Sequence, residues 1–439
     1  MASSSSSRKS LLVLDPGHFH AALILEKMHP QLFPRVHVYA PEGPELQDFL
    51  NRIQSFNNRE SDPTSWEPVL HVGPEYFEEM LREQAGNIAV IAGNNRNKTS
   101  YIKTAVESGI HVLSDKPMCI DATGWDLLQA VFAAAQAKNV LLYDMMTERF
   151  EITSILQRAL IQIPAVFGEL QEGSLEQPAV TKESTHHLYK SVSGRLLRRP
   201  PWYLDTAQQG EGIVDVTTHL VDLVLWACFP GQVIDYSSEI RILGARRWPT
   251  PVTQQQFERV TGLLEFPHYL EKYLSENGVL QCFCNGEINF VLRGIQVRTS
   301  VVWNYEAPPG GGDTHESIMR GSKARVLIRQ GEKQNYVPEL YIEPTVEADA
   351  PNWENALHDA MVQIQNNYPG VELDRDGKHW HLLIPTRYRI GHEAHFAQVA
   401  EKFLQFLSGE QRMPEWEVPN MLAKYYVTTQ ALQLALQGR

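Results

Sequence analysis

Cysteine is scarce in this sequence of 439 residues. It has four, Cys119, Cys228, Cys282 and Cys284. That is too few for a disulfide framework. Cys282-Phe283-Cys284 would set two thiols on one face of a strand, but a zinc site needs two more ligands at a recognisable spacing, so packed, reduced thiols are expected. Long apolar runs are missing as well; none reaches the roughly 20 residues of a membrane-crossing helix. Positive charge is in deficit, with a formal net charge of -13. Nucleic acid is therefore excluded as the main partner, because it requires a basic footprint. The start, Met1 to Ser10, is serine-rich and has no apolar stretch of the secretory kind ahead of the first strand. It reads as a disordered leader over 1–10. Cytoplasm is the default location, with the periplasm as the alternative if that start stands where a signal was removed. Repeats and low-complexity segments are absent after Ser7.

What is present suits two domains at this length. Leu11 to Leu14 is a short apolar run, followed by Asp15-Pro16-Gly17-His18-Phe19-His20 and a helical pattern from Ala21. A glycine in such a turn lets the backbone approach a diphosphate at a helix N-terminus. The usual dinucleotide fingerprint has three glycines there; this turn has Gly17, with His18, Phe19 and His20 filling the rest. A second strand, Val36 to Tyr39, ends at Ala40-Pro41-Glu42-Gly43. Glu42 stands where an acid would hydrogen-bond an adenosine ribose, or it caps the helix that follows. Apolar strands at Val69–Val72, Ile88–Ala92, His111–Leu113 and Val140–Tyr143 alternate with helical stretches at Lys98–Ser108 and Ala122–Lys138. The alternation predicts a doubly wound parallel sheet, whose ligands bind at the carboxyl ends of the strands. Two strand ends carry suitable residues: Gly93-Asn94-Asn95 and Ser114-Asp115-Lys116-Pro117.

The second half turns β-rich. Glu239–Leu243, Leu280–Cys284, Ile288–Leu292, Gln296–Trp303 and Ala324–Arg329 read as strands without long helices between them, which predicts an antiparallel sheet with one face covered. Ahead of them lies Gly210-Glu211-Gly212-Ile213-Val214-Asp215-Val216-Thr217-Thr218-His219-Leu220-Val221-Asp222. On a helix, Asp215, His219 and Asp222 would share a face. An acid one turn from a histidine can orient the ring and raise its basicity, or the pair can be helix-surface electrostatics alone. Pro344 to Gly391 is acidic and aromatic, with a predicted helix over Trp353–Asn366 and a hairpin at Asp374-Arg375-Asp376-Gly377. In Gly391-His392-Glu393-Ala394-His395 the histidines are three apart rather than the four of a zincin helix. Structural roles come first for these, substrate contact second and a metal last; the same applies to His186 and His187 and to His18 and His20, which are marked as well by their place in the cofactor turn. No metal site is expected. Phe396–Leu407 and Met421–Leu434 read as closing amphipathic helices.

The run from Val90 to Pro117 resembles the Gfo/Idh/MocA oxidoreductases. Ala105 to Val112 matches that family's Ala-x-x-x-Gly-x-His-Val segment, and Asp115-Lys116-Pro117 stands for its Glu-Lys-Pro motif, with aspartate in place of glutamate. Arg149-Phe150 falls where the family changes domains, and Gly210–Asp222 is similar to its glycine turn followed by Asp-x-x-x-His. The resemblance implies an α/β Rossmann domain over 11–147. An α+β domain with a large, mostly antiparallel open sheet would cover 148–395, and helices over 396–439 would return towards the Rossmann domain. It implies NAD, with NADP as the alternative, held by Gly17, His18, Phe19, His20, Glu42, Gly93, Asn94, Asn95, Asp115 and Lys116. Lys116 would bond the reacting oxygen, His219 would be the general acid/base and Asp215 would orient the substrate or the histidine. Arg149, Trp202, Tyr203, Asp222 and His392 would line the substrate. The implied reaction is hydride transfer to or from a secondary hydroxyl carbon of a sugar, cyclitol or glycoside. Two alternatives share the fold: a glycoside hydrolase that recycles a tightly held NAD, and a sensor without chemistry. A homo-oligomer, dimer or tetramer, paired through the open sheet is implied as well.

Overall fold

A computed structural model describes residues 8–192, 195–345 and 350–438. The start up to residue 7, and residues 346–349 of the acidic stretch, lie outside the described residues. The chain divides into two compact units: 1–147 with 207–210 and 391–418, and 148–206 with 211–390 and 419–439. Among the described residues, no helix is long and apolar enough to cross a membrane.

The first unit is built on six parallel strands: β1 (Lys9–Leu14), β2 (Leu32–Ala40), β3 (Glu67–Val72), β4 (Ile88–Ile91), β5 (His111–Ser114) and β6 (Leu142–Asp144). They lie in the order β3-β2-β1-β4-β5-β6. Leu11–Leu14 and Ile88–Ile91 are buried along their whole length. That is why they read as continuous apolar runs: a parallel sheet is covered on both faces. The connecting helices are α1 (His20–Leu23), α2 (Pro44–Asn58), α3 (Tyr76–Glu83), α4 (Lys98–Glu107) and α5 (Ala122–Lys138). Their limits follow local chemistry. Proline opens α2, where its missing N–H costs nothing. Asp121 caps α5 by accepting from Gly124 N at 2.7 Å, and Asn139 ends it in the left-handed conformation. The direction of chain progression reverses between β1 and β4, and this sets the crevice outside their carboxyl ends.

The second unit is built on a nine-stranded, mostly antiparallel sheet. Its strands are β7 (Val180–Tyr189), β10 (Ile240–Val252), β11 (Leu280–Leu292), β12 (Ile295–Glu306), β13 (Thr314–Arg320), β14 (Ala324–Gln330), β15 (Glu339–Pro344), β16 (Glu372–Asp376) and β17 (His379–Leu383), in the order β10-β11-β12-β7-β13-β14-β15-β17-β16. A separate small ladder joins β8 (Ser191–Val192) and β9 (Arg195–Leu196). The pair β12–β7 is parallel, with Val297 opposite Val180; every other pairing in this sheet is antiparallel. The helices Ile152–Ile161 and Thr217–Cys228 pack on it. Glu151 caps the first of them by accepting from Thr153 N and Ser154 N at 2.7 and 3.0 Å. The predicted helix in the acidic stretch runs over Ala350–Asn367, and the hairpin β16–β17 extends the sheet at its edge. The two closing helices part company. His392–Ser408 belongs to the first unit, while from Pro419 onward Glu417–Leu436 belongs to the second.

Candidate functional site

In the first unit the turn after β1 is tightly tied. Asp15 takes a left-handed φ of 47°, a conformation that aspartate and asparagine adopt more readily than other residues with side chains. Gly17 N donates to Asp15 O at 2.7 Å and His18 N to Ala92 O at 3.1 Å. Gly93 ends β4 directly against this turn. A Cβ on Gly93 would lie 2.0 Å from Asp15 O and 3.0 Å from Gly17 N, so only glycine lets the two strand ends approach. Asn94 and Asn95, expected at the cofactor, donate their side-chain amides to Gln208 Oε1 and to Gln209 O, both at 2.7 Å. They hold the 207–210 segment. Glu42 is exposed at the end of β2.

At the end of β5, Asp115 is 3% exposed. Its Oδ2 lies 3.0 Å from His20 Nδ1 and 3.6 Å from His18 Nδ1. Its carbonyl accepts from the buried Lys98 Nζ at 3.2 Å. Burial pushes both histidines well below the ordinary imidazole range; the charge of His20 adds to this at His18, and His392, Lys116 and Lys98 add to it at His20. Phe19 lies under the Arg52 guanidinium at 5.5 Å. His392, from the helix His392–Ser408, sits 5.9 Å from the His20 ring and 3.3 Å from Thr147 Oγ1. Asp15 is pushed up to about 6, first by burial and then by Glu45, against the opposing charge of Lys98. Lys98 escapes the reading of the sequence. Its signal is helical spacing: it shares the buried side of α4 with Ile102, Ala105 and Val106, an odd place for a lysine without a charge to serve. From Val112 to Cys119 every residue is buried except Lys116, which is half-buried, and the Lys116–Pro117 peptide is cis.

In the second unit the Gly210 motif forms a turn and then a helix. The helix begins at Thr217, so Asp215 lies in the turn ahead of it, where its N–H donates to Glu211 O at 3.0 Å. His219 and Asp222 lie on the helix itself, and Asp215 in the turn that leads into it. Thr217 Oγ1 donates to Gly212 O at 3.1 Å and Thr218 Oγ1 to Val214 O at 2.8 Å, closing the turn. Gly212 is required: a Cβ there would stand 1.8 Å from Cys284 O. Glu211 clamps Arg247 through two bonds of 2.6 and 2.7 Å. From Gln209 to Ala227 every residue is buried except His219, which is half-buried.

Asp222 lies inside the unit. It is 1% exposed and accepts two bonds of 2.7 Å from Arg149 and one of 2.8 Å from Lys424. Burial alone would raise its carboxyl, but the charges of Arg149 and Lys424 outweigh burial and hold it well below the usual carboxylate range. Arg149 and Asp222, expected at the substrate, are thus bound to each other inside the unit. Lys424 is missed by the sequence reading, since its partner is 202 residues away. Trp202 and Tyr203 lie in a single turn, Pro201–Leu204. Tyr203 sits under the Arg199 guanidinium at 4.4 Å, and Arg199 in turn donates to Leu188 O and His187 O.

Two family models match the chain. Residues 17–144 match "Oxidoreductase family, NAD-binding Rossmann fold", and residues 156–436 match "Putative oxidoreductase C terminal domain". A solved structure described as a "putative oxidoreductase" from Parabacteroides merdae is 50% identical, with 99% of each chain covered and a TM-score of 0.96. The chain belongs to the Gfo/Idh/MocA oxidoreductase family. Its fold recurs at low identity in a 3-ketoreductase from Actinomadura kijaniata solved with TDP-benzene and NADP (14% identity, 98% of each chain, TM-score 0.55). It recurs too in a "putative myo-inositol dehydrogenase" from Sinorhizobium meliloti (12%, 98% of each chain, TM-score 0.54). No curated protein matches the sequence.

As a Gfo/Idh/MocA protein it has an NAD-binding Rossmann domain, and the residues present fit a dinucleotide. The β1–β4 switch point is where such a fold holds its ligand, and Gly93 lets the two strand ends beside it approach. The diphosphate turn departs from the family pattern, because Gly17 and His18 commit their amides to the backbone.

Proposed function

We propose that this protein moves a hydride between NAD and a secondary hydroxyl carbon of a sugar, cyclitol or glycoside. One observation carries the reading. Each of the two motifs leaves a single titratable side chain half-buried within an otherwise buried run, Lys116 in one and His219 in the other. That is the exposure expected of groups that meet a ligand, whereas packing residues would be covered. Bound nicotinamide supplies the hydride acceptor or donor. In the oxidation, His219 is the group that takes the hydroxyl proton as the carbon–hydrogen bond is given up, and Lys116 is a hydrogen-bond donor to an oxygen of the bound ligand. Asp215, fixed by its turn, is a positioning residue. Glu42 disfavours a 2′-phosphate, which makes NAD the preferred cofactor over NADP.

The test is turnover of the full chain with NAD over a panel of sugars, cyclitols and glycosides. His219→Ala should lower kcat by about two to four orders of magnitude while leaving the melting temperature in place. Wild-type turnover in that variant would remove His219 from the chemistry. Aglycone release without accumulating NADH would replace net oxidation by glycoside cleavage with a recycled NAD.

A further inference from the structure

The turn that should cradle a diphosphate carries a single glycine and two histidines, and both histidines face one carboxylate. We propose that His18, His20 and Asp115 form a binding site for a divalent transition-metal ion. The three residues come from two strand ends, the turn after β1 and the end of β5, with β4 between those two strands in the sheet order. Their ligand atoms lie within 4.8 Å of one another. Around a tetrahedral ion with bonds of roughly 2.0–2.2 Å, two ligand atoms stand about 3.4 Å apart. The distances from Asp115 Oδ2 to the two imidazole nitrogens, 3.0 and 3.6 Å, bracket that value.

A second observation points to a missing ligand. Asp115 Oδ1 is buried and, among the described residues, has no hydrogen-bond partner. An orphaned carboxylate oxygen inside a protein is costly, and an ion bound by both carboxylate oxygens would remove the cost. The donor set is two imidazoles and a carboxylate, the set used by zinc with an open position and by non-haem iron. As the residues stand, His20 Nδ1 donates to Asp115 Oδ2 at 3.0 Å, and an ion would displace that proton and take its place between the two atoms. A contact to the carbonyl, Lys98 Nζ to Asp115 O at 3.2 Å, fixes the carboxylate's backbone, and the ring of Phe396 holds His20 at 4.4 Å. Lys98 and Lys116 both bear on these rings electrostatically. An ion there therefore favours an anionic oxygen, from hydroxide or from a bound molecule, in its open position.

The experiment uses the full chain, stripped with a chelator and titrated with Zn²⁺ and then with Co²⁺. The expected result is one ion per chain by elemental analysis, with cobalt absorption bands of nitrogen–oxygen coordination and imidazole scattering in the X-ray absorption of the zinc form. Asp115→Asn, close in shape to the native residue, and His18→Ala should each weaken binding by at least about 100-fold, more than loss of an outer-shell partner. His71→Ala, in the separate half-exposed group with Glu79 and Glu83, should leave it unchanged. Failure of the wild-type chain to retain an ion, zinc scattering without imidazole, or loss of the ion in His71→Ala alone would overturn the site. The wild-type spectra decide the matter even if a variant does not fold.

Discussion

Replacing Asp222 by asparagine separates a structural role from a substrate role. The carboxylate stands between two buried cations, Arg149 at 2.7 Å and Lys424 at 2.8 Å. The neutral amide of Asp222→Asn would fill the same volume and leave both cations uncompensated. Removing one member of a buried ion pair costs about 3–5 kcal/mol, and here one carboxylate serves two partners, so the upper part of that range is expected at neutral pH. The dependence on pH follows from the depressed carboxyl. Its contribution is full above the unfolded value, 3.8, and is lost as pH falls through the lower folded value. Wild type and variant should therefore converge only in strong acid. Urea melts read by tryptophan fluorescence and circular dichroism give the difference, compared at unchanged slope. Lys424→Met should cost less than Asp222→Asn, since Arg149 keeps its paired bonds. In the combined variant the two losses should fall well short of additive. A loss under about 1 kcal/mol in Asp222→Asn, with KM raised instead, would refute the reasoning and return Asp222 to the substrate.

Two further outcomes follow from the turn after β1. Asp15 is pushed up to about 6 from 3.8, so the folded protein holds that proton more tightly than the unfolded chain, and stability from this group is lost as pH rises from about 4 to about 6. Asp15→Asn, which tolerates the left-handed backbone, should then gain on the order of 1–3 kcal/mol at pH 8 and nothing near pH 3.5; the same difference at both pH values would count against it. Gly93→Ala would press a methyl against Asp15 O, which lies 2.0 Å from the position of its Cβ. NAD affinity by calorimetry should drop at least about 10-fold through displacement of the turn, and unchanged affinity would mean the turn does not bear on the cofactor.

Much of the fold is legible in the sequence because both periodicities are clean. The apolar runs at Leu11 and Ile88 form central parallel strands, and the helix and hairpin after Pro344 lie at Ala350–Asn367 and β16–β17. What is not legible depends on partners distant in sequence. β10 continues past Leu243 to Val252, through Pro249 and Pro251. Proline argues against a strand interior, yet β10 is the edge of its sheet and shifts register between Trp248 and Thr250, where prolines are tolerated. The parallel pair β12–β7 joins segments more than a hundred residues apart, and no local pattern announces such a pairing. At the site, spacing alone puts Asp215 one helical turn before His219. The hydroxyls of Thr217 and Thr218, bonded back to Gly212 and Val214, instead delay the helix until Thr217. Arg149 and Asp222 both stand out in the sequence, but the lysine that completes their ion cluster lies in the last helix.

The division of the chain also bears on its synthesis. Residues 391–418 complete the first unit and residues 419–439 the second, so neither unit is encoded by one continuous stretch. On the ribosome, the parallel sheet is finished long before Phe396 emerges to cover His20, and the Arg149–Asp222 pair waits for Lys424 until nearly the whole chain has been made. A fragment cut at residue 147 would lack a helix of its own unit, and one cut at residue 390 would leave both units open. Attempts to dissect this protein into halves should keep residues 391–439, supplied in the same polypeptide or added back as a separate peptide.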